Sequence, residues 1–341
     1  MKKLILITLG LLTLWFLFIW IRYDFFYSNL TQDEIDKVFT YEKMKTPEFD
    51  SINLRGYSIK YLTNKKNRDT EYDQNNKRKP YLVLLHSSGK NATYFLDYFR
   101  NKEIQDKFHI IAIDRLGFGK TTFNKPEDRD YIFEQEKEEF GNMADYVSGS
   151  MVHHILENEG HHLEEVRIVS EGNSGIIGLE AYRFEYLSFS KVFLFNSSLQ
   201  KRFLISKIFS KMITSNLVSP LFPRAFVSKH QDLLLLDKSK ETGFDWLINF
   251  GKDVENDENK DRGYMYHSKG KMFKSIFFIG INSNGEKRVK SISGDSNFIF
   301  ESKGFNIYKN PDKTLKSIID ADAYTLDFNR IYNQQSSDFT N

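Results

Sequence analysis

The chain has 341 residues, 40% of them hydrophobic, and its 48 basic and 46 acidic side chains leave a formal net charge of +2. This balance, without a stripe of basic residues, argues against a nucleic-acid-binding surface. The absence of cysteine excludes disulfides, thiolate metal ligands, a cysteine nucleophile and lipidation of an N-terminal cysteine. The length permits one large domain or two small ones, and we expect one domain with an insertion.

An apolar run, Leu4 to Ile21, follows two lysines at the N-terminus and has about the minimum length of a transmembrane helix. The run ends in Trp20, Ile21, Arg22 and Tyr23, without the small residues of a signal-peptidase site. We therefore favour a retained anchor over residues 1–23, in contact with the membrane through residues 4–21, to a cleaved signal peptide. The lysines predict a single-pass protein with a cytoplasmic N-terminus and an extracytoplasmic domain.

The region after the anchor is divided by its composition. Residues 24–50 are polar and charged with scattered aromatics, and they predict a juxtamembrane linker or short helical stalk. The folded domain is expected over residues 51–333, and residues 334–341 are expected to be a flexible tail. At the start of this domain, Ser51–Leu54 and Tyr57–Leu62 alternate in polarity and predict a hairpin.

Four apolar runs have the length of buried parallel strands, and segments of helical length separate them. The four runs are Tyr81–Leu85, Phe108–Ile113, Val166–Val169 and Val192–Phe195. A further strand is predicted at Ser275–Ile279, and a terminal strand at Lys316–Asp320. The alternation predicts an α/β fold with a mostly parallel central sheet flanked by helices.

Three of the predicted strands end in junctions rich in glycine and serine: HSSG at 86–89, DRLGFGKT at 114–121 and SEGNSG at 170–175. In this order, over residues 51–332, the sequence resembles the α/β-hydrolase superfamily, and most closely its membrane-anchored bacterial members with a lid insertion. The resemblance implies the α/β-hydrolase fold and hydrolysis of esters or amides by a serine nucleophile. It also implies a helical lid over residues 201–271, where the alternation of strands and helices is interrupted.

The third junction permits two registers. In the first, Ser170 and Ser174 flank Gly172, which then occupies the position of the family's nucleophile. Glycine would relieve a backbone strain of about 1–3 kcal/mol at this position, and it cannot attack a substrate. In the second register Ser174 is the nucleophile, but Ile176 then lies where two backbones must approach closely. We prefer the first register.

The resemblance also implies a general base and an orienting acid, and neither position carries the usual residue. The base would follow the last strand, at Tyr324, and tyrosine with its usual pKa near 10 is a poor base at neutral pH. The acid would be Ser283 or, alternatively, Asn196. The chain's last histidine is His267, and a working site on Ser174 would need His267 or His230 as a rearranged base.

The first junction is expected to form the rest of the pocket. Backbone N–H groups of Ser87 or Ser88 would act as oxyanion donors, with Asn173 beside them, and His86 would be a buried structural histidine. Two histidine pairs, at 153–154 and 161–162, have no supporting carboxylate spacing. No metal and no other cofactor is predicted.

These observations leave three hypotheses. We favour a membrane-anchored pseudoenzyme that binds a small molecule or a protein partner in the vestigial pocket between sheet and lid. The first alternative is an active serine hydrolase built on Ser174. The second alternative is a non-catalytic scaffold tethered to the membrane.

Overall fold

The computed structural model describes residues 2–25, 29–42, 44–54, 56–64, 79–123, 143–160, 165–183, 191–197, 204–230, 276–280, 299–301 and 304–323. The strands within these ranges are β1 Glu48–Leu54, β2 Tyr57–Thr63, β3 Tyr81–Leu85, β4 His109–Ile113, β5 Thr122–Phe123, β6 Val166–Glu171, β7 Lys191–Phe195, β8 Ile276–Ile279 and β9 Ile299–Glu301.

The α-helices in the same ranges are α1 Lys2–Trp20, α2 Gln32–Tyr41, α3 Leu96–Arg100, α4 Lys102–Lys107, α5 Met143–Asn158, α6 Gly175–Arg183, α7 Leu204–Ile213, α8 at 224–230 and α9 at 311–323. A π-helical turn, Ile21–Phe25, continues α1. Short 3₁₀ turns lie at Ala92–Phe95, Gly172–Ser174, Ser219–Leu221 and Ile307–Lys309.

The strands form one sheet in the order β1-β2-β4-β3-β6-β7-β8-β9, and β5 pairs with β2. The strand β2 is antiparallel to β1 and β4. The six neighbouring strands β4, β3, β6, β7, β8 and β9 are parallel to one another. This arrangement confirms the predicted fold class and the predicted N-terminal hairpin. Because the strands are parallel, the carboxyl ends of β3, β4, β6, β7 and β8 lie along one edge of the sheet.

The central strands are covered on both faces. Val83 and Leu85 of β3 join one buried apolar cluster with residues of α5 and α6. Leu82 and Leu84 point to the other face, into a cluster that includes residues of α3 and α9. A strand buried on both faces must be apolar throughout, which is why these runs were recognisable in the sequence.

The predicted linker contributes to the domain core. Within α2, Ile35 and Phe39 have the spacing of one helix face, and both are fully buried against the sheet. The helix begins with a capping box between Thr31 and Glu34. The strand β1 also begins earlier than expected, at Glu48 instead of Ser51. Ile35 and Phe39 thus pack in the same cluster as the sheet, and the bounds of linker and domain stay predictions.

The terminal strand predicted at Lys316–Asp320 is wrong, because residues 311–323 form a helix. Leu315, Ile318 and Ala321 are buried while Ile319 is exposed, a spacing of three that suits a helix face and not a strand. Pro311 begins this helix, where its fixed φ and missing N–H cost little. The last described strand is β9, whose three residues gave too short an apolar signal to be predicted.

The N-terminal helix is the candidate membrane span of the described residues, over Lys3–Tyr23. Its length and composition also suit a signal sequence, so the anchor and its orientation stay predictions. The carboxyl end of this helix contacts α7 and α8, where Ile19 is buried against Ile213 and Phe226.

We call residues 204–230, which contain α7 and α8, the helical hairpin. It lies at the carboxyl edge of the sheet. A Cβ placed on Gly89, just after β3, would lie 3.5 Å from the Lys229 side chain, and one on Gly117, after β4, would lie 3.8 Å from the Ser228 hydroxyl. Residues 231–271 of the predicted lid lie outside the described residues, and the lid assignment stays a prediction.

Candidate functional site

The exits of β3 and β6 lie side by side, because Leu85 pairs with Ser170 in the parallel register of these strands. After β6, the single turn Gly172–Ser174 leads directly into α6. The first and third sequence junctions are thereby brought together at the carboxyl edge of the sheet.

Gly172 occupies the first position of this turn, with φ at +61°. This is the left-handed conformation that favours glycine. A Cβ at this position would have one near neighbour, the Cβ of Ser87 at 3.2 Å. The backbone thus presents a bare Cα towards Ser87 at the exit of β3, and the choice between the two registers stays a prediction.

Ser174 is fully buried and ties the two strand ends together. Its hydroxyl oxygen accepts a hydrogen bond from the Glu171 N–H at 3.0 Å. Its single proton is shared between the carbonyl oxygens of Leu85, at 2.9 Å, and Glu171, at 3.0 Å. All three of these groups are backbone groups, so the hydroxyl is engaged in the local structure of the turn.

His86 links the first junction to the second. Its Nδ1–H donates to the Ser87 carbonyl at 2.9 Å, and its Nε2 accepts from the Arg115 backbone N–H at 3.1 Å. A carbonyl only accepts and an N–H only donates, so these partners fix a neutral imidazole. Complete burial, together with the nearby Arg115 charge, lowers the pKa of His86 well below its usual value.

The second junction is supported by a buried carboxylate. Asp114 accepts hydrogen bonds from the backbone N–H groups of Ala92 and Lys120, each at 2.7 Å. A Cβ on Gly119 would overlap this carboxylate, so glycine is required there. Burial raises the pKa of Asp114 to about 6, although the two N–H groups act in the opposite direction.

A tyrosine that sequence reasoning missed reaches the same edge. Tyr308 lies in the 3₁₀ turn after β9, and its hydroxyl accepts from the Ser87 N–H at 3.0 Å. The same hydroxyl lies 3.4 Å from the Ser87 Oγ. One of the two N–H groups predicted as oxyanion donors, that of Ser87, is therefore bonded to a side chain of the protein itself.

Two charged groups surround this tyrosine. The Lys90 ammonium lies 3.2 Å from the Glu171 carboxylate and 3.4 Å from the centre of the Tyr308 ring. Burial and then the charge of Glu171 raise the pKa of Tyr308 well above its usual value. Burial lowers the pKa of Lys90, and Glu171 opposes this shift. We call Ser87, Lys90, Glu171 and Tyr308 the Tyr308 cluster.

The chain was compared with protein-family models, curated proteins and solved structures. No protein-family model matches the sequence, and the search of curated proteins found no match either. Among solved structures, a naproxen esterase from Bacillus subtilis is 12% identical, with 86% of this chain and 99% of that chain covered and a TM-score of 0.43. A putative lipase from Acinetobacter baumannii AYE is 13% identical, with 86% and 99% covered and a TM-score of 0.45. A bacterial membrane phospholipase A is 13% identical, with 98% and 100% covered and a TM-score of 0.42.

The chain has an α/β fold with a mostly parallel central sheet. At these identities and TM-scores, the similarity to the hydrolase structures says nothing of the chain's activity. Within this fold, the exits of β3, β4 and β6 form one connected group through His86, Asp114 and Ser174, with Asn173 donating to the Ser88 Oγ at 2.7 Å.

Asn196, one of the two predicted acid positions, follows β7 with φ at +49°. Its side-chain amide donates to the Phe305 carbonyl at 3.0 Å, and a Cβ on Gly304 would overlap its side-chain oxygen. Asn196 thus holds the segment after β9 against the end of β7. The other predicted positions, Ser283 and Tyr324, lie outside the described residues.

The remaining histidines of the described residues lie elsewhere. His230 in α8 bonds the Ser210 hydroxyl at 2.9 Å, between the rings of Phe209 and Phe226. His153 and His154 both pair with Glu157, at 3.3 and 3.1 Å, so a carboxylate at suitable spacing exists that sequence analysis overlooked. Such exposed groups are common without a metal, and no metal site is assigned. His161, His162 and His267 lie outside the described residues.

Proposed function

We propose that the chain is a membrane-anchored pseudoenzyme of the α/β-hydrolase fold, with a binding role at its former catalytic edge. The observation that carries this proposal is the turn after β6. Its first position is Gly172, which is partly exposed and offers no hydroxyl to a substrate. We further propose the orientation that the N-terminal lysines indicate, with the domain outside the cytoplasm.

The contacts of Ser174 argue against the active alternative. To attack a substrate, the hydroxyl would have to leave its backbone partners on Leu85 and Glu171 and meet a general base. No histidine of the described ranges bonds it. Breaking these bonds would also leave the buried backbone groups unsatisfied, at about 1–3 kcal/mol each.

The segment after β9 supports the same conclusion. The chain's last histidine is His267, so no imidazole follows β9 in the sequence. Tyr308 follows β9 instead, with its hydroxyl on the Ser87 N–H, and its raised pKa makes it a poor base. Loss of triad members as a unit lowers turnover by on the order of 10⁶.

A binding role fits the polar groups that remain at the edge. Ser88, Lys90 and Asn173 are all partly exposed there. They provide hydroxyl, ammonium and amide groups that suit a polar small molecule or a polar segment of a partner protein. The scaffold alternative has its own support, since Tyr308 is buried and its hydroxyl already bonds the Ser87 N–H at this edge.

A fluorophosphonate probe tests the catalytic part of the proposal on the full chain in detergent. We expect no labelling of the wild type. We also expect none for Gly172→Ser, which restores a hydroxyl without a base to activate it. Ser174→Ala is the matched control: labelling of the wild type that disappears in Ser174→Ala would establish the active alternative. Labelling of Gly172→Ser would show that a functional base exists.

A further inference from the structure

The contact between α1 and the helical hairpin extends well into the apolar part of α1. The Trp15 ring packs against Phe209 and Phe222, with ring centres 6.1 and 6.3 Å apart. Nearer the end of the helix, the Trp20 indole donates to the Leu221 carbonyl at 3.1 Å, and the Tyr23 ring lies 5.2 Å from Phe226.

This contact fixes the depth of the hairpin relative to α1. Trp15 precedes Tyr23 by about two helical turns, so along the helix axis it lies roughly 10 Å inside the position of Tyr23. If α1 spans a bilayer with Tyr23 at its surface, the side chains that touch Trp15 must enter the boundary between headgroups and hydrocarbon. The hairpin cannot keep these contacts from a position in bulk water.

The hairpin also has the surface that such a position requires. Four large apolar side chains of this short segment are half or more exposed. They are Ile208, Met212, Leu217 and Leu221, with exposed fractions of 61%, 50%, 87% and 56%. Large exposed apolar side chains grouped on one segment mark an interaction site in a folded protein.

Charge and continuity favour lipid as the occupant. The end of α1 that packs on the hairpin belongs to the candidate span, whose side chains, such as Leu17 and Phe18, are also exposed. Lys211 of α7 and Arg22 at the end of α1 are exposed too, and long basic side chains can reach anionic headgroups while their stems stay in apolar surroundings. Amphipathic helices with this composition lie in the interface, with the apolar face about 5–10 Å deep.

We propose that the helical hairpin is embedded in the bilayer interface beside α1. This inference depends on the proposed membrane anchor. Lys229 donates to the Tyr23 hydroxyl at 3.1 Å, and both side chains lie against Gly89 in the junction after β3. The embedded hairpin therefore holds the carboxyl edge of the sheet, with the Tyr308 cluster, directly under the membrane surface.

The absence of native cysteine allows a direct test with single-cysteine variants of the full chain. Leu217→Cys, Leu14→Cys and Lys102→Cys are each labelled with a polarity-sensitive fluorophore. The proteins are reconstituted into phosphatidylcholine and phosphatidylglycerol vesicles containing nitroxide-labelled lipid. Leu14 reports on α1, and Lys102, an exposed residue of the helix that precedes β4, is the aqueous control. All three positions are exposed, so the substitutions do not disturb the core.

We expect quenching by nitroxide lipid at Leu14 and Leu217 and none at Lys102. Quenching at Leu14 alone would overturn the embedded hairpin and leave the anchor in place. No quenching at Leu14 would reject the anchor and the inference together. A blue-shifted label at Leu217 that lipid does not quench would indicate burial against a second copy of the chain, which also overturns the inference.

Discussion

The turns after β4 and after β6 lie at the same edge of the sheet, and both contain glycine at positive φ, yet the two glycines have different surroundings. In the first turn, Gly119 at φ +54° contacts the Asp114 carboxylate, which fills the space that a Cβ would need. In the second turn, Gly172 at φ +61° has a single neighbour within 4 Å of a Cβ, at 3.2 Å. A Cβ would overlap its neighbours at Gly119, whereas at Gly172 it would only be crowded.

This difference separates a glycine that packing requires from one that packing only crowds. The β4 turn has a buried carboxylate with two backbone partners, and its glycine is part of that arrangement. The β6 turn has no such group against its glycine. Gly172 is therefore the position on which the proposed loss of activity depends, whereas Gly119 supports the fold.

The largest effect is expected for Gly119→Ala. The new methyl group would overlap the Asp114 carboxylate and be held at positive φ, so we expect a loss of about 3 kcal/mol or more in the free energy of unfolding. Denaturant unfolding of the purified chain in detergent measures it.

Gly117→Ala is the matched control in the same turn. Its φ is +82°, but the nearest atom to its Cβ would be the Ser228 hydroxyl at 3.8 Å, so only backbone strain of about 1–2 kcal/mol is expected. Equal losses for the two variants would show that φ, and not the carboxylate, makes glycine necessary at Gly119.

The second prediction concerns the pH dependence that Asp114 gives to stability. Its pKa is about 6 in the fold and 3.8 without the protein environment, so between these values the native state binds more protons than the unfolded state. Protonated Asp114 therefore adds to the free energy of unfolding. This contribution, on the order of 3 kcal/mol, is complete below about pH 4 and is lost as the pH rises through about 6.

Comparison with Asp114→Asn isolates this contribution, because asparagine does not titrate. The difference in free energy of unfolding between wild type and variant is expected to shrink as the pH rises from about 4 to about 7. A difference that grows over this range would mean that the two N–H groups, and not burial, set the pKa of Asp114, with the native value below 3.8.

The comparison also shows which features of the site can be predicted from sequence. The turn at Gly172 is local: a strand, a turn and a helix lie within one continuous segment, and the sequence predicts all three. The Tyr308 cluster is not local, because Ser87 and Tyr308 are 221 residues apart. Their contact depends on where the last strand ends, and β9 was too short to be recognised.

The same distinction applies to the fold. Strands such as β3 and β4 are apolar on both faces and were found close to their true bounds. The error at α9 has a physical cause. The segment at 316–320 has two adjacent isoleucines, which alone suit a strand, and its helical character appears only when Leu315 and Ala321 are included in the pattern. In α2, packing against the sheet decides the role of Ile35 and Phe39, and this packing is not visible in a polar, charged segment.

A smaller effect than that of Gly119→Ala, and the one that tests the comparison most directly, is expected for Gly172→Ala. Alanine would pay the left-handed backbone cost of about 1–2 kcal/mol, and the Ser87 side chain would need to shift by a few tenths of an ångström to relieve the contact at 3.2 Å. Gly172→Asn should cost less, because asparagine tolerates this conformation. If Gly172→Ala destabilised the chain as much as Gly119→Ala, glycine would be a structural requirement of both turns. The β6 turn could then never have held a nucleophile in its present backbone, and the loss of a side chain there would carry no information about lost activity.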